Sequence, residues 1–74
     1  MEMEKVIERL GKYFVSLDRS SVEWTAAGIF KIGKKITEQG QQVKYYHGQT
    51  AMEALLKLKD ALIAYYKINY KVDI

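Results

Sequence analysis

The chain has to stabilise a small core without covalent or metal cross-links, and this restricts its possible folds more than any other feature. Its 74 residues include no cysteine, which excludes disulfides and thiolate metal sites. Its one histidine, His47, cannot hold a metal ion alone. Domains of this size bury little more than half of the surface that their unfolded chains expose, so many add a disulfide, a metal or a second copy. Self-association is the remaining route, and we expect a homo-oligomer.

The first segment, residues 2–17, has the spacing of an amphipathic helix. Its apolar residues step by four and three positions: Met3, Ile7, Leu10, Phe14 and Leu17. Acidic residues crowd the start, where the helix dipole favours negative charge. The pattern predicts a helix, with a short connection at residues 18–21.

The second segment, residues 20–39, also reads as a helix. It opens with Ser20-x-x-Glu23, the pattern of a capping box. Large apolar residues recur every seven positions, with small ones interleaved between them: Val22, Ile29, Ile36 and Val43, then Ala26, Gly33 and Gly40. Small residues on a helix let another backbone approach closely, so this row predicts a tight helix–helix contact, either within the fold or with a second copy.

A hairpin is the alternative for the same region. Residues 29–32 and 43–46 are rich in strand-forming side chains, and a loop at residues 38–40 would place Gly40 in the left-handed conformation. This alternative gives an α+β fold with a short hairpin in residues 29–46 between two helices. Residues 41–49 are compatible with a loop, a frayed helix or a short strand.

The third segment carries a second capping box, Thr50-x-x-Glu53. A helical stripe follows it: Ala51, Leu55, Leu58, Leu62 and Tyr65. Residues 64–74 either continue this helix or extend and pair with residues 43–46. Taken together, the three segments predict an all-α protein, a compact three-helix bundle with residues 1–74 as a single helical domain.

The chain offers little for catalysis, and we do not expect an enzyme. Nucleophilic catalysis requires a base beside a nucleophile, and His47 lies in no motif that supplies one. The stretch from Gly28 to Lys35 resembles a phosphate-binding loop in its glycine spacing. It lacks the Ser or Thr after the lysine and a preceding strand. We therefore expect no cofactor, no metal and no small-molecule substrate.

Two groups of residues exceed what a plain bundle needs. Tyrosine is rigid and has a polar end, which suits interfaces, and nearby lysines also suit phosphate contacts. The predicted partner-binding residues are Ala26, Ile29, Gly33 and Ile36 on the second helix, with Lys44, Tyr45, Tyr46, Tyr66, Lys67 and Tyr70 outside it.

The expected function is non-enzymatic protein–protein interaction or regulation of the inhibitor or adaptor type, with self-association through the second helix. The partner is another protein or a second copy. The alternative is a nucleic-acid-binding regulator that uses the Lys/Tyr surface, although a net charge of +3 is only mildly basic. The N-terminus has no uninterrupted apolar stretch, and no apolar run suits a membrane span. We expect a cytoplasmic protein that does not bind membranes.

Overall fold

The computed structural model describes residues 2–33 and 40–74, which form two α-helices and a three-stranded antiparallel sheet. The elements are helix α1 (Glu2–Leu10), a 3-10 turn (Gly11–Tyr13), strands β1 (Phe14–Arg19), β2 (Trp24–Lys31) and β3 (Gln41–Gly48), and helix α2 (Ala51–Tyr70). The strands lie in the order β1-β2-β3. The predicted all-α three-helix bundle is therefore wrong. The α+β alternative fits, with strands longer than its short hairpin.

The first helix is shorter than predicted because Gly11 ends it. Gly11 adopts a left-handed conformation with a φ of 53°, which terminates a helix at little cost for glycine. A β-bulge between Phe14 and Ser16 then shifts the register of β1. Phe14 and Leu17 consequently face the same side of the sheet. The bulge thus gives a strand the three-residue spacing of a helical stripe.

The second predicted helix is a strand preceded by a tight turn. The Ser20 hydroxyl accepts hydrogen bonds from the N–H groups of Val22 and Glu23, at 3.3 and 3.1 Å. The Ser20 N–H donates to the Glu23 carbonyl at 2.8 Å, which closes the turn between β1 and β2. The bond from the Glu23 N–H to the Ser20 hydroxyl is the one that a capping box would make, although the Ser20 N–H bonds the Glu23 backbone carbonyl and not its carboxylate. The serine in this pattern therefore suits a turn as well as a helix start.

The small residues of β2 allow α2 to pack closely on the sheet. Ala26 is fully buried, and a Cβ atom built on Gly28 would lie 2.6 Å from Cδ1 of Leu58 and 3.2 Å from Cδ1 of Leu62. The predicted helix–helix contact of the small-residue row is therefore wrong: Ala26 packs between a strand and a helix, and Gly33 and Gly40 are exposed with positive φ. Residues 34–39, which include Ile36, lie outside the described residues.

The third predicted helix is confirmed. The Thr50 hydroxyl accepts a hydrogen bond from the Glu53 N–H at 3.1 Å, and the helix runs to Tyr70, followed by Lys71 in the left-handed conformation. The core lies between this helix, α1 and one face of the sheet; its buried members are Leu10, Tyr13, Ala26, Phe30, Ala54, Leu55, Leu58, Leu62 and Tyr66. Within residues 2–33 and 40–74, no helix has the length and apolar character needed to cross a membrane.

Candidate interaction surface

Helices cover one face of the sheet, and no helix within residues 2–33 and 40–74 covers the other. A Cβ atom on Gly28 would point towards α2, and successive side chains of a strand point to opposite faces of the sheet. The odd-numbered residues of β2 and their cross-strand partners therefore form the opposite side, which we call the outer face. Its members are Ser16 and Asp18 on β1, Thr25, Ala27, Ile29 and Lys31 on β2, and Gln41, Val43, Tyr45 and His47 on β3. Of these, none belongs to the core cluster described above.

The centre of the outer face is apolar. Tyr45 is 62% exposed and Val43 is 36% exposed, and they pair with Ala27 and Ile29 of the central strand. Ala27 is itself buried between its neighbours, and Ile29 is half-buried. An apolar centre on an uncovered sheet face is a feature of protein-binding surfaces.

One end of the outer face is acidic and polar. Asp18, Thr25 and His47 pair across the three strands, so they lie at one level of the sheet. The Thr25 hydroxyl lies 3.0 Å from Nδ1 of His47, and Oε1 of Glu23 lies 3.3 Å from the same nitrogen. A catalytic triad places the nucleophile and the orienting carboxylate on different ring nitrogens. In this cluster, Thr25 and Glu23 both lie nearest to the same ring nitrogen, Nδ1 of His47.

The other end of the outer face is basic. Lys31 pairs with Gln41 in the register of β2 and β3, and its Nζ donates to the Gln41 side-chain oxygen at 3.1 Å. At about 3.4 Å per residue, the level of Lys31 is about 20 Å from the level of Thr25. The outer face therefore has an acidic end, an apolar centre and a basic end.

Strand β3 also presents an open edge. The Ile32 N–H donates to the Gly40 carbonyl, so the even-numbered residues of β3 form the hydrogen-bonded pairs with β2. Hydrogen-bonded and non-hydrogen-bonded pairs alternate along an antiparallel ladder. The N–H and C=O groups of the odd-numbered β3 residues therefore point away from β2. The His47 carbonyl is one of these groups, and it accepts a bond from Lys57 Nζ at 2.9 Å. Lysines at such edges discourage uncontrolled strand pairing.

Tyrosines from α2 occupy the other edge of β2 beyond the end of β1. Strand β1 pairs only as far as Gly28. The Tyr66 hydroxyl donates to the Ile29 carbonyl at 2.7 Å and accepts from the Lys31 N–H at 3.0 Å. The hydroxyls of Tyr65 and Tyr70 both donate to the Lys31 carbonyl. These phenols therefore bond backbone groups for which β1 supplies no strand partner.

Because Tyr66 is buried, the free energy of unfolding is expected to fall at high pH. Burial raises the pKa of Tyr66 to about 12, although the hydrogen bond from the Lys31 N–H acts to lower it. An unfolded tyrosine ionises near pH 10, so the folded state holds its proton where the unfolded state has lost it. The stabilisation from Tyr66 is therefore complete below pH 10 and is lost as the pH rises towards 12.

We expect the wild-type free energy of unfolding to fall by about 1.4 kcal/mol more than that of Tyr66→Phe between pH 8 and pH 11. Urea unfolding of both proteins at the two pH values measures this difference. The variant is the control because it keeps the other titrating groups. Equal pH dependence in the two proteins would contradict the assignment.

The structure brings together only part of the predicted partner-binding set. Ile29 and Tyr45 lie on the outer face. The others lie elsewhere: Ala26 is buried beneath α2, Tyr66 is buried, Tyr46 and Tyr70 are half-buried, Gly33 is exposed after β2, Lys67 is exposed on α2, and Ile36 lies outside the described residues. Lys44 points to the covered side, where its Nζ lies 4.9 Å from the centroid of the Phe30 ring.

Several residues of the outer face were not among the predicted partner-binding residues, namely Asp18, Thr25, Ala27, Lys31 and Val43. The alternation of Val43, Tyr45 and His47 was an available signal for one side of a strand. The charged ends were not visible, because Asp18 and Lys31 belong to one surface only in the observed register.

No protein-family model, no curated protein and no solved structure matches this chain significantly.

Proposed function

We propose that this chain is a non-enzymatic protein-binding module and that its outer face is the contact surface. The observation that carries the proposal is the apolar centre of the outer face, where Tyr45 and Val43 are exposed. The backbone of a hydrogen-bonded sheet is ordered before binding, so little conformational entropy is lost when a partner covers it. Tyrosine at its centre adds a large contact area with a polar end.

The charge distribution favours a protein partner over a nucleic acid. Asp18 and Glu23 stand at one end of the surface, where they would repel phosphates. Lys44 belongs to the covered side, over the rings of Phe30 and Tyr65. Protein interfaces commonly combine an apolar centre with a polar rim of both signs.

Substitution of Val43 by lysine tests the proposal. The side chain is 36% exposed at the centre of the outer face, so the variant should fold while placing a charge where a partner would exclude water. Ile68→Lys is the matched control, because Ile68 is 76% exposed on α2. We expect proteins that co-purify with the tagged wild-type chain from its native host to be retained by Ile68→Lys and lost by Val43→Lys.

Circular dichroism melting of the three proteins checks that the variants remain folded. The proposal is wrong if folded Val43→Lys retains all the captured proteins, or if Ile68→Lys loses them and Val43→Lys does not. Added nuclease separates direct capture from capture through nucleic acid. Loss of all bound proteins on nuclease treatment would favour the nucleic-acid alternative.

A further inference from the structure

We infer that the partner of the outer face is the outer face of a second copy, stacked so that the strands of the two sheets run in opposite directions. This inference rests on the proposed function and specifies the partner. It requires a two-fold axis that lies between the sheets, crosses the strands and passes at the level of Gly28. Two features of the outer face support it: the placement of its charges and the order of its large and small side chains.

The charges select the direction of stacking. When the two-fold axis runs across the strands at Gly28, Lys31 of one copy lies opposite Thr25 of the second copy. Each Lys31 then faces the end that carries Asp18 and Glu23, and the contact forms twice by symmetry. With the axis along the strands, the two Lys31 residues would meet each other and the carboxylates would also meet. Like-charge contacts of that kind disfavour the second arrangement.

The side chains near the axis are complementary in size. Ala27 and Ile29 lie one residue on either side of Gly28 along β2, so Ala27 of one copy faces Ile29 of the other. On β3, Tyr45 is level with Ala27 and Val43 is level with Ile29. Tyr45 therefore stacks over Val43 of the second copy. Each large side chain meets a smaller one, which is how packed sheets interdigitate at a separation of about 10 Å.

The size of the face implies a weak dimer. Three strands about 4.8 Å apart and about 20 Å long present a small surface, which is well below the about 800 Å² per partner of a standard interface. Interfaces below the standard size are typical of weak, transient complexes. Two pairs of opposite charges at the ends make such a dimer sensitive to salt.

Charge exchange provides the test. We expect the untagged wild-type chain to dimerise in sedimentation equilibrium between 10 and 500 µM, with at least fivefold weaker association in 0.5 M NaCl. Lys31→Glu alone places three carboxylates at each of the two symmetric contacts, namely the new glutamate of one copy with Asp18 and Glu23 of the other. Asp18→Lys alone places a lysine opposite Lys31 at each contact. We expect each variant to weaken dimerisation at least tenfold.

Recovery of dimerisation after charge exchange would show that residues 18 and 31 pair across the interface, and that the single variants do not simply disturb the fold. The double variant Asp18→Lys with Lys31→Glu should recover dimerisation, and an equimolar mixture of the two single variants should form a heterodimer. In both, every Lys again faces a carboxylate. Lys67→Glu, at an exposed position on α2, is the matched control and should dimerise like the wild type.

Three results would overturn the inference. The first is a wild-type monomer at 500 µM. The second is single variants that dimerise as the wild type does, which would place self-association on another surface such as the β3 edge. The third is failure of both restorations. If the chain stays monomeric and Val43→Lys still loses captured proteins, the second copy is excluded while the proposed function stands.

Discussion

Gly48→Ala is expected to lower the free energy of unfolding by about 3 kcal/mol, a large effect for one added methyl group. A Cβ atom at Gly48 would lie 2.5 Å from the backbone nitrogen of Ala54 and 2.9 Å from Cβ of Glu53. These atoms belong to the first turn of α2, which is fixed by the Thr50 cap. The helix start therefore has to move away from the sheet, and overpacking of this kind costs about 1–3 kcal/mol or more.

Urea unfolding at neutral pH measures this effect. Gln49→Ala is the control, since it changes the adjacent exposed residue without adding an atom against the helix. Gln49→Ala should unfold within about 0.5 kcal/mol of the wild type. If Gly48→Ala were as stable as this control, β3 would not approach α2 as closely as the structure shows.

Leu58→Ala is expected to destabilise the protein by about 3–4 kcal/mol. Leu58 is fully buried and packs over Gly28 at the centre of the core. Its truncation loses apolar burial and leaves a cavity between the helix and the sheet, and such substitutions cost about 2–5 kcal/mol. The exposed neighbour Leu56, on the same helix, is the matched control, and Leu56→Ala should cost less than about 1 kcal/mol.

A double-mutant cycle with Gly28→Ala tests whether Leu58 and Gly28 are in close contact. Gly28→Ala alone should destabilise, because its Cβ would lie 2.6 Å from Cδ1 of Leu58. In Leu58→Ala that methyl group is absent, and only the contacts at 3.2 Å to Cδ1 of Leu62 and to the Tyr13 carbonyl oxygen remain, so the same change should cost less than in the wild type. We expect a coupling energy of at least about 1 kcal/mol. Additive effects would mean that Leu58 does not restrict the space at Gly28.

The sequence predicts α2 correctly because its signals are local and consistent. The Thr50 cap and the stripe of Leu55, Leu58 and Leu62 agree over five turns of helix. Elsewhere the local signals have two physical solutions. The bulge beside Phe14 gives a strand the spacing of a helix, and the Ser20 side chain makes the same hydrogen bonds in a turn as in a helix cap.

Ala26 and Gly28 lie where the helix approaches the sheet closely, but the predicted helix–helix contact is wrong, and Gly33 and Gly40 of the predicted row are exposed. Gly28 packs against Leu58, a contact that depends on how α2 docks and that no local pattern specifies. The candidate surface has the same limitation. Ile29 and Tyr45 could be selected by residue type, whereas the pairing of Thr25 with His47 and Asp18 becomes visible only when the strand register is known.

The tyrosine contacts also have a consequence for the order of folding. They join residues of β2 and the loop after it to residues of α2 that lie between 34 and 39 positions away along the chain. The turn at Ser20 can close early because it spans few residues, while contacts at long separation form later. Until the last helix has docked, the backbone of Ile29 and Lys31 has no tyrosine hydroxyl to bond. The final residues of the helix thus complete the central strand, and a nascent chain that lacks them exposes a strand edge that the finished protein conceals.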